Sequence, residues 1–414
     1  MKVALLTREY PPEIYGGAGV HVEYLARELS RLVNLQVHCF GGPRQSPLVA
    51  ASYEPWDELA GPELHLAALR TMSVDLAMVA GVQGVDLAHS HTWYANFAGH
   101  LAKLLYGIPH VMTTHSLEPL RPWKAEQLGG GYAVSSFCER TAIESADAVI
   151  AVSTEMRGDV LRAYPAVDPA RVRVIHGGVD PDEYQPDHAT DVLQRYGIDP
   201  ARPIVLYFGR ISRQKGIVHL LEAAPMLQGG AELVLRAGPA DTEEQAEEVR
   251  ELVRDLQARR GGVVLIEELL PRRDLVQLLT HAAVFVCPSI YEPFGLVNLE
   301  AMACRTPVVA SKVGGILDIV VDGVTGILVG FEPGDDAYGR PADPARFAHD
   351  LAAAVNKVLA DPELARALGD AGRQRVVDEF SWSEIARRTE QLYQELLSAG
   401  AASRGAASPS APCR

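Results

Sequence analysis

The stretch Ile204-Val-Leu-Tyr-Phe-Gly-Arg-Ile-Ser-Arg-Gln-Lys-Gly216 decides the fold class of this protein. It begins with a short apolar run, passes through a loop bounded by Gly209 and Gly216, and leads into a segment with apolar residues at helical spacing. A buried strand followed by a short loop and a helix is the repeating unit of parallel sheets. The stretch therefore predicts an α/β fold.

The same unit recurs along the whole chain. In the second half, short apolar runs predict strands at 204–208, 232–237, 263–266, 284–287, 307–311 and 326–329, with helices at 217–227, 242–259, 273–281 and 294–304. In the first half, strands are expected at 3–7, 35–40, 85–89, 110–114 and 148–153, with helices at 19–32, 94–105 and 134–145. We therefore predict two Rossmann-like domains that face each other across a cleft.

The polar, proline-bearing segment 180–188 separates the two series and predicts a linker. We place the first domain at 1–182, the second at 183–379 and a last helix at 380–398. The remaining residues, 399–414, are rich in Ala, Ser, Gly and Pro, which predicts a disordered tail.

Composition excludes several classes of protein. Of the 414 residues, 48% are hydrophobic and 22% charged, which is typical of a globular protein. A net charge of −15 argues against a nucleic-acid partner. The five scattered cysteines favour a reducing compartment, and neither a signal peptide nor an apolar run of membrane-spanning length is found. We expect a soluble, cytoplasmic protein with no membrane partner, and the sequence leaves a homodimer open.

Ligands of open parallel sheets bind beyond the carboxyl ends of the strands, so the loops there deserve inspection. Tyr15-Gly-Gly-Ala-Gly19 follows the first strand and either brings backbone N–H groups to an anion or forms a plain tight turn. Arg210, Arg213 and Lys215 in the opening stretch form a candidate diphosphate clamp, with a solvated basic loop as the alternative.

Two further loops carry chemistry. In the segment 289–300, Glu292 precedes a Pro-Phe-Gly turn and Glu300 follows two helical turns later, a pattern that suits a ligand with hydroxyls beside a diphosphate. The alternative is a capping and a surface glutamate. His89 and His91 share a strand face, which could suggest a metal site, but no Cys or Asp that could complete a ligand set lies nearby. His89 is therefore interpreted as structural. His115 ends a strand that is expected to face the cleft.

The Gly-Arg-x4-Lys-Gly loop at 209–216 and the Glu-x7-Glu element at 292–300 resemble those of the retaining, two-domain glycosyltransferases of the glycogen-synthase type, family 4. The resemblance extends from Arg8-Glu-Tyr-Pro-Pro to Phe380-Ser-Trp382. It implies a GT-B fold with an N-terminal acceptor domain, a C-terminal nucleotide-sugar (donor) domain and a last helix that crosses back to the first domain.

The resemblance also implies roles for the matching residues. Arg210 and Lys215 should neutralise the leaving diphosphate, and His115 should contact the donor glucose. Glu292 should bind a glucose hydroxyl, and Glu300 the ribose hydroxyls. The remaining donor contacts that it implies are made by the loops and the helix start at Gly16, Gly17, Phe294, Gly295 and Leu296.

The acceptor is expected to be chosen by the first domain. Tyr15 stands where bacterial glycogen synthases carry Lys, and Thr92 where they carry Asp, which puts simple glucan elongation in doubt. Arg121 and Lys124, with Tyr132, are candidates for an acceptor phosphate, although a plain solvated loop fits equally well.

The resemblance therefore implies transfer of glucose from ADP-glucose, or UDP-glucose, to glucose 1-phosphate, giving α-maltose 1-phosphate in α-glucan synthesis. Elongation of an α-1,4-glucan, transfer to an inositol-type acceptor and a nucleotide-sugar-binding module without turnover are the alternatives. Asp180-Pro-Asp182 has the Asp-x-Asp pattern of metal-dependent transferases but lies in the linker. Because the basic loop already offers diphosphate neutralisation, we predict no metal and no other cofactor.

Overall fold

The computed structural model of the protein describes residues 1–121, 123–228, 230–335 and 339–406. The chain divides into two compact units. The first comprises Met1–Gly177 together with the chain from Trp382 onward, and the second comprises Gly178–Ser381. The sequence had placed these two boundaries after residues 182 and 379.

The first unit is built on one sheet of seven parallel strands. The strands, in chain order, are β1 (Lys2–Thr7), β2 (Asn34–Phe40), β3 (Val49–Tyr53), β4 (Leu87–His91), β5 (His110–Thr114), β6 (Ala148–Ala151) and β7 (Val172–Val174). Their spatial order is β3-β2-β1-β4-β5-β6-β7, so the direction of winding reverses between β1 and β4. That reversal is the topological switch point, where ligands of such sheets bind.

Helices cover the first sheet and bury its apolar side chains. They are α1 (Gly17–Leu29), α2 (Leu66–Gly81), α3 (Trp93–Tyr106), α4 (Lys124–Leu128), α5 (Gly131–Ser145) and α6 (Thr154–Ala163). The last helix of the chain, Trp382–Ala406, belongs to the same unit, where Trp382 stacks on Tyr24 of α1 and Tyr393 is fully buried.

The second unit contains a six-stranded parallel sheet of the same winding. Its strands are β8 (Ile204–Ile211), β9 (Glu232–Ala240), β10 (Val263–Ile266), β11 (Ala282–Cys287), β12 (Val308–Ser311) and β13 (Gly326–Val329). They lie in the order β10-β9-β8-β11-β12-β13, which puts the switch point between β8 and β11. The opening stretch 204–216 therefore contains the strand that decides this sheet.

Eight α-helices accompany the second sheet in the part of the chain that the structure describes. The first of them precedes β8, and the other seven follow it. They are α7 (Asp191–Arg195), α8 (Ile217–Ala223), α9 (Glu243–Arg259), α10 (Arg272–His281), α11 (Leu296–Ala303), α12 (Ile316–Ile319), α13 (Pro344–Ala360) and α14 (Pro362–Glu379), and the last helix of the chain becomes α15. Helix α13 begins at Pro344, and the Asp343 carboxylate caps it by accepting from the Arg346 N–H.

The prediction of an α/β protein with two Rossmann-like parallel sheets is confirmed. Two strands and two long helices of the first unit, β3, β7, α2 and α6, were not predicted. The tail prediction is wrong for 399–406, because α15 continues to Ala406, and residues 407–414 lie outside the described residues.

Candidate functional site

Within each unit, the switch point brings together two of the loops that the sequence singled out. In the first unit, β1 leads toward the Tyr15–Gly19 loop and its neighbour β4 ends at His91. In the second unit, β8 carries Arg210 into the basic loop, and its neighbour β11 leads into the Glu292 segment. Because neighbouring parallel strands end at the same edge, each pair of loops lies on one side of its sheet.

In the second unit, Lys215 and Glu292 form an ion pair. The Lys215 Nζ lies 2.6 Å from the Glu292 Oε2, which also accepts a hydrogen bond of 3.0 Å from the Ser289 hydroxyl. Both partners are largely buried, with side chains 18% and 5% exposed. Glu292 Oε1 accepts no hydrogen bond from the described residues, so this oxygen remains available to a ligand hydroxyl.

A glycine makes this pairing possible. Gly216, directly after Lys215, has φ +63°, and a Cβ there would lie 2.0 Å from the Pro288 carbonyl oxygen. Only glycine accepts both the left-handed backbone and the close approach of another main chain. The basic loop is thereby packed against the segment that follows β11, which is why two residues 77 positions apart meet.

The other predicted cation, Arg210, is also paired. Its guanidinium donates to the Asp241 carboxylate, which lies just beyond the end of the neighbouring strand β9. The Arg210 side chain is 20% exposed and that of Asp241 is 7% exposed. Both predicted diphosphate-binding cations therefore have carboxylate partners within their own unit.

Glu300 lies on α11 with its carboxyl group buried. Its Oε1 accepts a 3.0 Å hydrogen bond from the Tyr184 hydroxyl, while its Oε2 is buried without a partner among the described residues. Burial raises the pKa of Glu300 to about 7, although Tyr184 and nearby arginines act in the opposite direction. A buried acceptor with an unused oxygen is suited to a hydroxyl-bearing ligand.

The turn between the two glutamates is held by close main-chain packing. Gly295 has φ +101° and is the residue before α11, which begins at Leu296, while Phe294 is buried. A Cβ on Gly314 would lie 2.1 Å from the Glu292 carbonyl oxygen. The N–H groups in the first turn of a helix have no partner within it, so the start of α11 is suited to an anion, and the donor contacts expected there stay a prediction.

In the first unit, the glycine loop does bring N–H groups to an anion, but the anion is a side chain. The Glu9 Oε2 accepts from the backbone N–H of Tyr15 at 2.8 Å and of Gly16 at 2.9 Å. Gly17 begins α1, so this carboxylate lies at a helix N-terminus. The Tyr15 side chain itself is half exposed.

Beside this loop lies a cluster of four imidazoles: His21 on α1, His89 and His91 on β4, and His115 just after β5. His91 Nδ1 lies 3.0 Å from His115 Nε2, and the rings of His21 and His115 are 4.8 Å apart. His89 contacts the Tyr393 hydroxyl through Nδ1 and the Thr113 hydroxyl through Nε2, at 2.5 and 2.7 Å. Both ring nitrogens of His89 therefore have partners within the protein, which fits its interpretation as a structural histidine.

Burial keeps these imidazoles uncharged. It lowers the pKa of His115 to about 4 and that of His89 to about 3, and it lowers the pKa values of His21 and His91 well below the ordinary value. The histidine cluster therefore offers neutral donors and acceptors rather than positive charge.

Thr92, between the cluster and α3, has a strained backbone. Its φ of 64° and ψ of 164° are adopted rarely by residues other than glycine, and least of all by β-branched ones. Strain of this kind costs about 1–3 kcal/mol and concentrates at functional sites. Thr92 was singled out from the sequence only as a departure from Asp.

The predicted acceptor loop follows His115 and is held by two buried carboxyl groups, since the Glu118 N–H donates to Glu139 Oε1 and the Ser135 hydroxyl donates to Glu118 Oε2. Arg121 donates to the Ser116 hydroxyl at 2.9 Å, and its Nε is buried without a partner among the described residues. Lys124 donates to Gln127. The Tyr132 hydroxyl donates to the Glu118 carbonyl at 2.5 Å, so its only proton is already used and its role as a phosphate donor is not supported.

Asp180, in the linker, makes local hydrogen bonds with the backbone. The Asp180 carboxylate accepts from the backbone N–H groups of Asp182 and Glu183, which makes it a turn-stabilising residue.

Comparison with known proteins fits this geometry. Residues 15–183 match the family model described as Glycosyltransferase Family 4, and residues 190–375 match that described as Glycosyl transferases group 1. An alpha-maltose-1-phosphate synthase of Mycolicibacterium smegmatis is 54% identical over 401 residues, 96% of this chain and 100% of that protein. The chain belongs to glycosyltransferase family 4. The predicted family and the prediction of a glycosyltransferase are confirmed.

Other family 4 glycosyltransferases and related structures agree. An alpha-maltose-1-phosphate synthase of Mycobacterium tuberculosis is 52% identical over 399 residues, 96% of this chain and 100% of that protein. The structure of a sucrose-phosphate synthase from Thermosynechococcus elongatus is similar with a TM-score of 0.76 at 28% identity, covering 96% of this chain and 99% of that one. The GT-B fold expected from the sequence is confirmed. None of the described helices of this glycosyltransferase has the length and apolar character to cross a membrane.

Four residues near the two switch points of this family 4 glycosyltransferase were missed in the sequence: Glu9 and His21 in the first unit, and Tyr184 and Asp241 in the second. Asp241 could have been found as an acid at the end of a strand beside the basic loop, and Glu9 as one of two acids, with Glu13, between the first strand and the glycine loop. Tyr184 and His21 carried no such signal, because only the fold brings them to Glu300 and to His115.

Proposed function

We propose that this protein transfers glucose from ADP-glucose to the 4-hydroxyl of glucose 1-phosphate with retention of configuration, which gives α-maltose 1-phosphate and ADP. The proposal is carried by the pairing of Lys215 with Glu292, 2.6 Å apart, beside Arg210 at the switch point of the second unit. Such a site offers two cations for a diphosphate and an acid for sugar hydroxyls. Two relatives at 54% and 52% identity are named for the proposed product.

The main task of such a site is to stabilise charge on the leaving diphosphate as the anomeric bond breaks. Arg210 and Lys215 supply that charge when the donor diphosphate replaces, or joins, their carboxylate partners. The Glu292 Oε1 is then the acceptor for a glucose hydroxyl, and the Glu300 Oε2 the acceptor for a ribose hydroxyl. Each of the two glutamates has one oxygen already held by the protein and one without a described partner.

Neither glutamate is suited to be a nucleophile. Glu292 is held through Oε2 by Lys215 and Ser289, and Glu300 has a pKa raised to about 7 in a buried site, with a hydrogen bond from Tyr184. We therefore propose a front-face substitution. The acceptor hydroxyl attacks the anomeric carbon on the face that the diphosphate leaves, and a diphosphate oxygen receives the hydroxyl proton.

His115 is proposed to contact the donor glucose as a neutral imidazole. Because burial lowers its pKa to about 4, it remains uncharged at neutral pH. Its Nε2 is shared with His91, which fixes the orientation of the ring. A neutral imidazole held in this way can exchange hydrogen bonds with a sugar hydroxyl without repelling the cationic character that develops at the anomeric carbon.

The acceptor phosphate is proposed to bind Arg121, with help from Lys124. Arg121 is partly buried and has one N–H group without a described partner, which a phosphate oxygen would satisfy. A glucan end offers only neutral hydroxyls to that group, and these form weaker hydrogen bonds with a guanidinium than a charged phosphate does. This difference favours the phosphorylated acceptor over the polymer.

The test is to incubate the protein with ADP-glucose and either glucose 1-phosphate or glycogen, and to identify the products by mass spectrometry and ³¹P NMR. A disaccharide phosphate should form from glucose 1-phosphate. Incorporation of glucose into glycogen alone would overturn the proposed acceptor. Faster transfer from UDP-glucose than from ADP-glucose would overturn the proposed donor.

The acceptor site is tested by Arg121→Ala, with Arg140→Ala on the exposed face of α5 as the matched control. We expect a higher KM for glucose 1-phosphate, an unchanged KM for ADP-glucose, and wild-type behaviour of the control.

We also propose that transfer needs no metal, so activity should persist in EDTA. Loss in EDTA with recovery in magnesium would contradict this.

A further inference from the structure

Three of the four clustered imidazoles have the arrangement of a metal-ligand set. One ring nitrogen from each of His21, His91 and His115 can be chosen so that all three lie within 4.8 Å of one another. They come from α1, from the end of β4 and from the residue after β5, so the sheet itself holds them together. The proposed function does not use His21.

The hydrogen bonds around these rings leave several nitrogens unused. His21 forms no hydrogen bond with the described residues and contacts its neighbours only through ring packing. His91 is fully buried, and its Nε2 has no described partner. His91 Nδ1 and His115 Nε2 pair only with each other among the described residues, so an ion could receive the lone pairs of both, while the buried His91 Nε2 would carry the ring proton.

We propose that His21, His91 and His115 bind a divalent transition-metal ion of the zinc class, and that the bound ion inhibits glucosyl transfer by withdrawing His115 from the donor glucose. Three imidazoles with an open fourth position are a known ligand set for zinc, and imidazole also suits Cu²⁺, Ni²⁺ and Co²⁺. The inhibitory part of the inference rests on the proposed role of His115, whereas the binding part does not.

The distances allow the site to form with small movements. At a zinc–nitrogen distance of about 2.1 Å, tetrahedral ligand nitrogens lie about 3.4 Å apart. His91 Nδ1 and His115 Nε2 are already 3.0 Å apart, and the widest separation in the set is 4.8 Å. Rotation of the imidazole rings about their broad χ2 torsions can close the remaining gap. Binding would replace the hydrogen bond between His91 and His115 with two metal bonds.

The surroundings of the set also fit an ion that must enter and remain. His115 is only partly buried, which leaves a route from solvent, while His21 and His91 form the closed side. The ring of Trp382, at the start of α15, packs edge-on against His21 with 5.0 Å between centroids. His89 is held by Tyr393 and Thr113, so the fourth imidazole supports the set without competing for the ion.

The binding test uses Co²⁺ as a spectroscopic substitute for zinc, added to the whole protein purified in EDTA and then freed of it. Tetrahedral Co²⁺ with nitrogen ligands gives intense visible absorption, and we expect that spectrum with one equivalent bound. Zn²⁺ should abolish it by competition. Since Trp382 adjoins His21, bound Co²⁺ should quench the fluorescence of Trp382. In Trp382→Phe this quenching should be absent, while the visible absorption of bound Co²⁺ should remain.

The matched variants are His21→Gln and His100→Gln. His100 is a partly buried histidine on α3, where it contacts the Ser145 hydroxyl at 2.6 Å, outside the set. Because even a supporting residue of a metal site contributes about 10–100-fold in affinity, His21→Gln should weaken Co²⁺ binding at least that much. His100→Gln should bind as wild type.

Inhibition is then measured as the ratio of the rates with Zn²⁺ and with EDTA, so that each variant is its own reference. Wild type and His100→Gln should be inhibited over the range in which Co²⁺ binds, and His21→Gln should resist. Equal Co²⁺ binding by His21→Gln and wild type, or no tetrahedral spectrum in wild type, would overturn the site. Binding without inhibition would overturn only the inhibitory role, and absence of transfer activity would contradict the proposed function while leaving the binding result intact.

Discussion

The two switch points of this protein are built from opposite chemistry. In the second unit, the strand ends carry ion pairs, Lys215 with Glu292 and Arg210 with Asp241. In the first unit, the strand ends carry the histidine cluster, whose members burial keeps uncharged. The same strand order therefore supports a charged site and a neutral one, because the side chains at the strand ends and not the strand order determine the chemistry.

The difference shows where charge is needed. The proposed diphosphate donor requires cations, and Arg210 and Lys215 supply them at the second switch point even though the whole chain carries a net charge of −15. Those cations are stabilised by the protein's own carboxylates, as are the N–H groups of the glycine loop by Glu9. Ligand binding is then an exchange of partners, so its net free energy is smaller than the bare charges suggest.

The largest effect is expected from removing a positive charge at the switch point of the second unit. In Lys215→Ala, we expect kcat to fall by about 10²–10³, because one cation aimed at the leaving diphosphate is lost. The Glu292 carboxylate is also left buried without its cation, so the free energy of unfolding should fall by about 3–5 kcal/mol. Steady-state kinetics and urea denaturation measure the two effects.

Lys103→Ala is the matched control for this lysine. Lys103 also pairs with an acid, Asp147, at 2.8 Å, but it lies in the last turn of α3, at the edge of the sheet away from the carboxyl ends of the strands. Its kcat should be that of wild type. Similar kcat values for Lys215→Ala and Lys103→Ala would show that the basic loop does not serve the leaving group.

The part of the first unit that holds the histidine cluster should lose stability at acid pH more than the second unit does. A histidine whose folded pKa lies below its unfolded value takes up protons more readily when unfolded, so stability is present at high pH and lost as the pH falls below about 6.5. His115, with a pKa of about 4, and His89, with one of about 3, should each remove up to about 1.4 kcal/mol per pH unit between about 6 and their folded values.

Hydrogen exchange at pH 7 and pH 5.5, corrected for intrinsic rates, measures this locally. The strands β4 and β5 should lose protection on acidification more than β8 does. Glu139, buried in the first unit with a pKa raised to about 8, acts in the opposite direction and should reduce the difference without reversing it. Equal loss in β4 and β8 would show that the histidine cluster does not govern acid stability.

The extent of prediction from the sequence differs between the two regions for physical reasons. The strands of the second unit were predicted with small errors, since each is a continuous apolar run bounded by a loop. In the first unit, β7 has only three residues, and α2 is apolar on several faces, so neither gives a clear periodic signal. The disordered tail was inferred from composition, yet helix α15 continues through its first part.

The site shows a related limit. Residue types at the strand ends predicted which loops matter, because the carboxyl ends of parallel strands share an edge. Their partners could not be predicted: Tyr184 reaches Glu300 across 116 positions, and His21 meets His115 through ring packing. Contacts between residues so far apart depend on the packing of the whole unit, which no local pattern encodes.

The smallest predicted effect concerns the pH dependence of donor binding. Since burial raises the pKa of Glu300 to about 7, its carboxyl group gains a proton as the pH falls from 8 to 6. The ionised group is the better acceptor for ribose hydroxyls, so the affinity for ADP should fall by up to about tenfold over that range. By the same linkage, ADP binding should release part of a proton near pH 7.

Glu300→Gln separates this group from the titration of ADP itself. The phosphate of ADP titrates identically with both proteins, so the difference between the two affinity profiles isolates Glu300. Isothermal titration calorimetry at pH 6, 7 and 8, in buffers of different ionisation enthalpy, gives both the affinity and the proton release. The variant should bind ADP more weakly at pH 8 and approach wild type at pH 6, because a protonated carboxyl and an amide each retain one donor and one acceptor. Parallel profiles would mean that Glu300 does not titrate in this range or does not contact the ribose, and the proton release of the wild type would decide between these two.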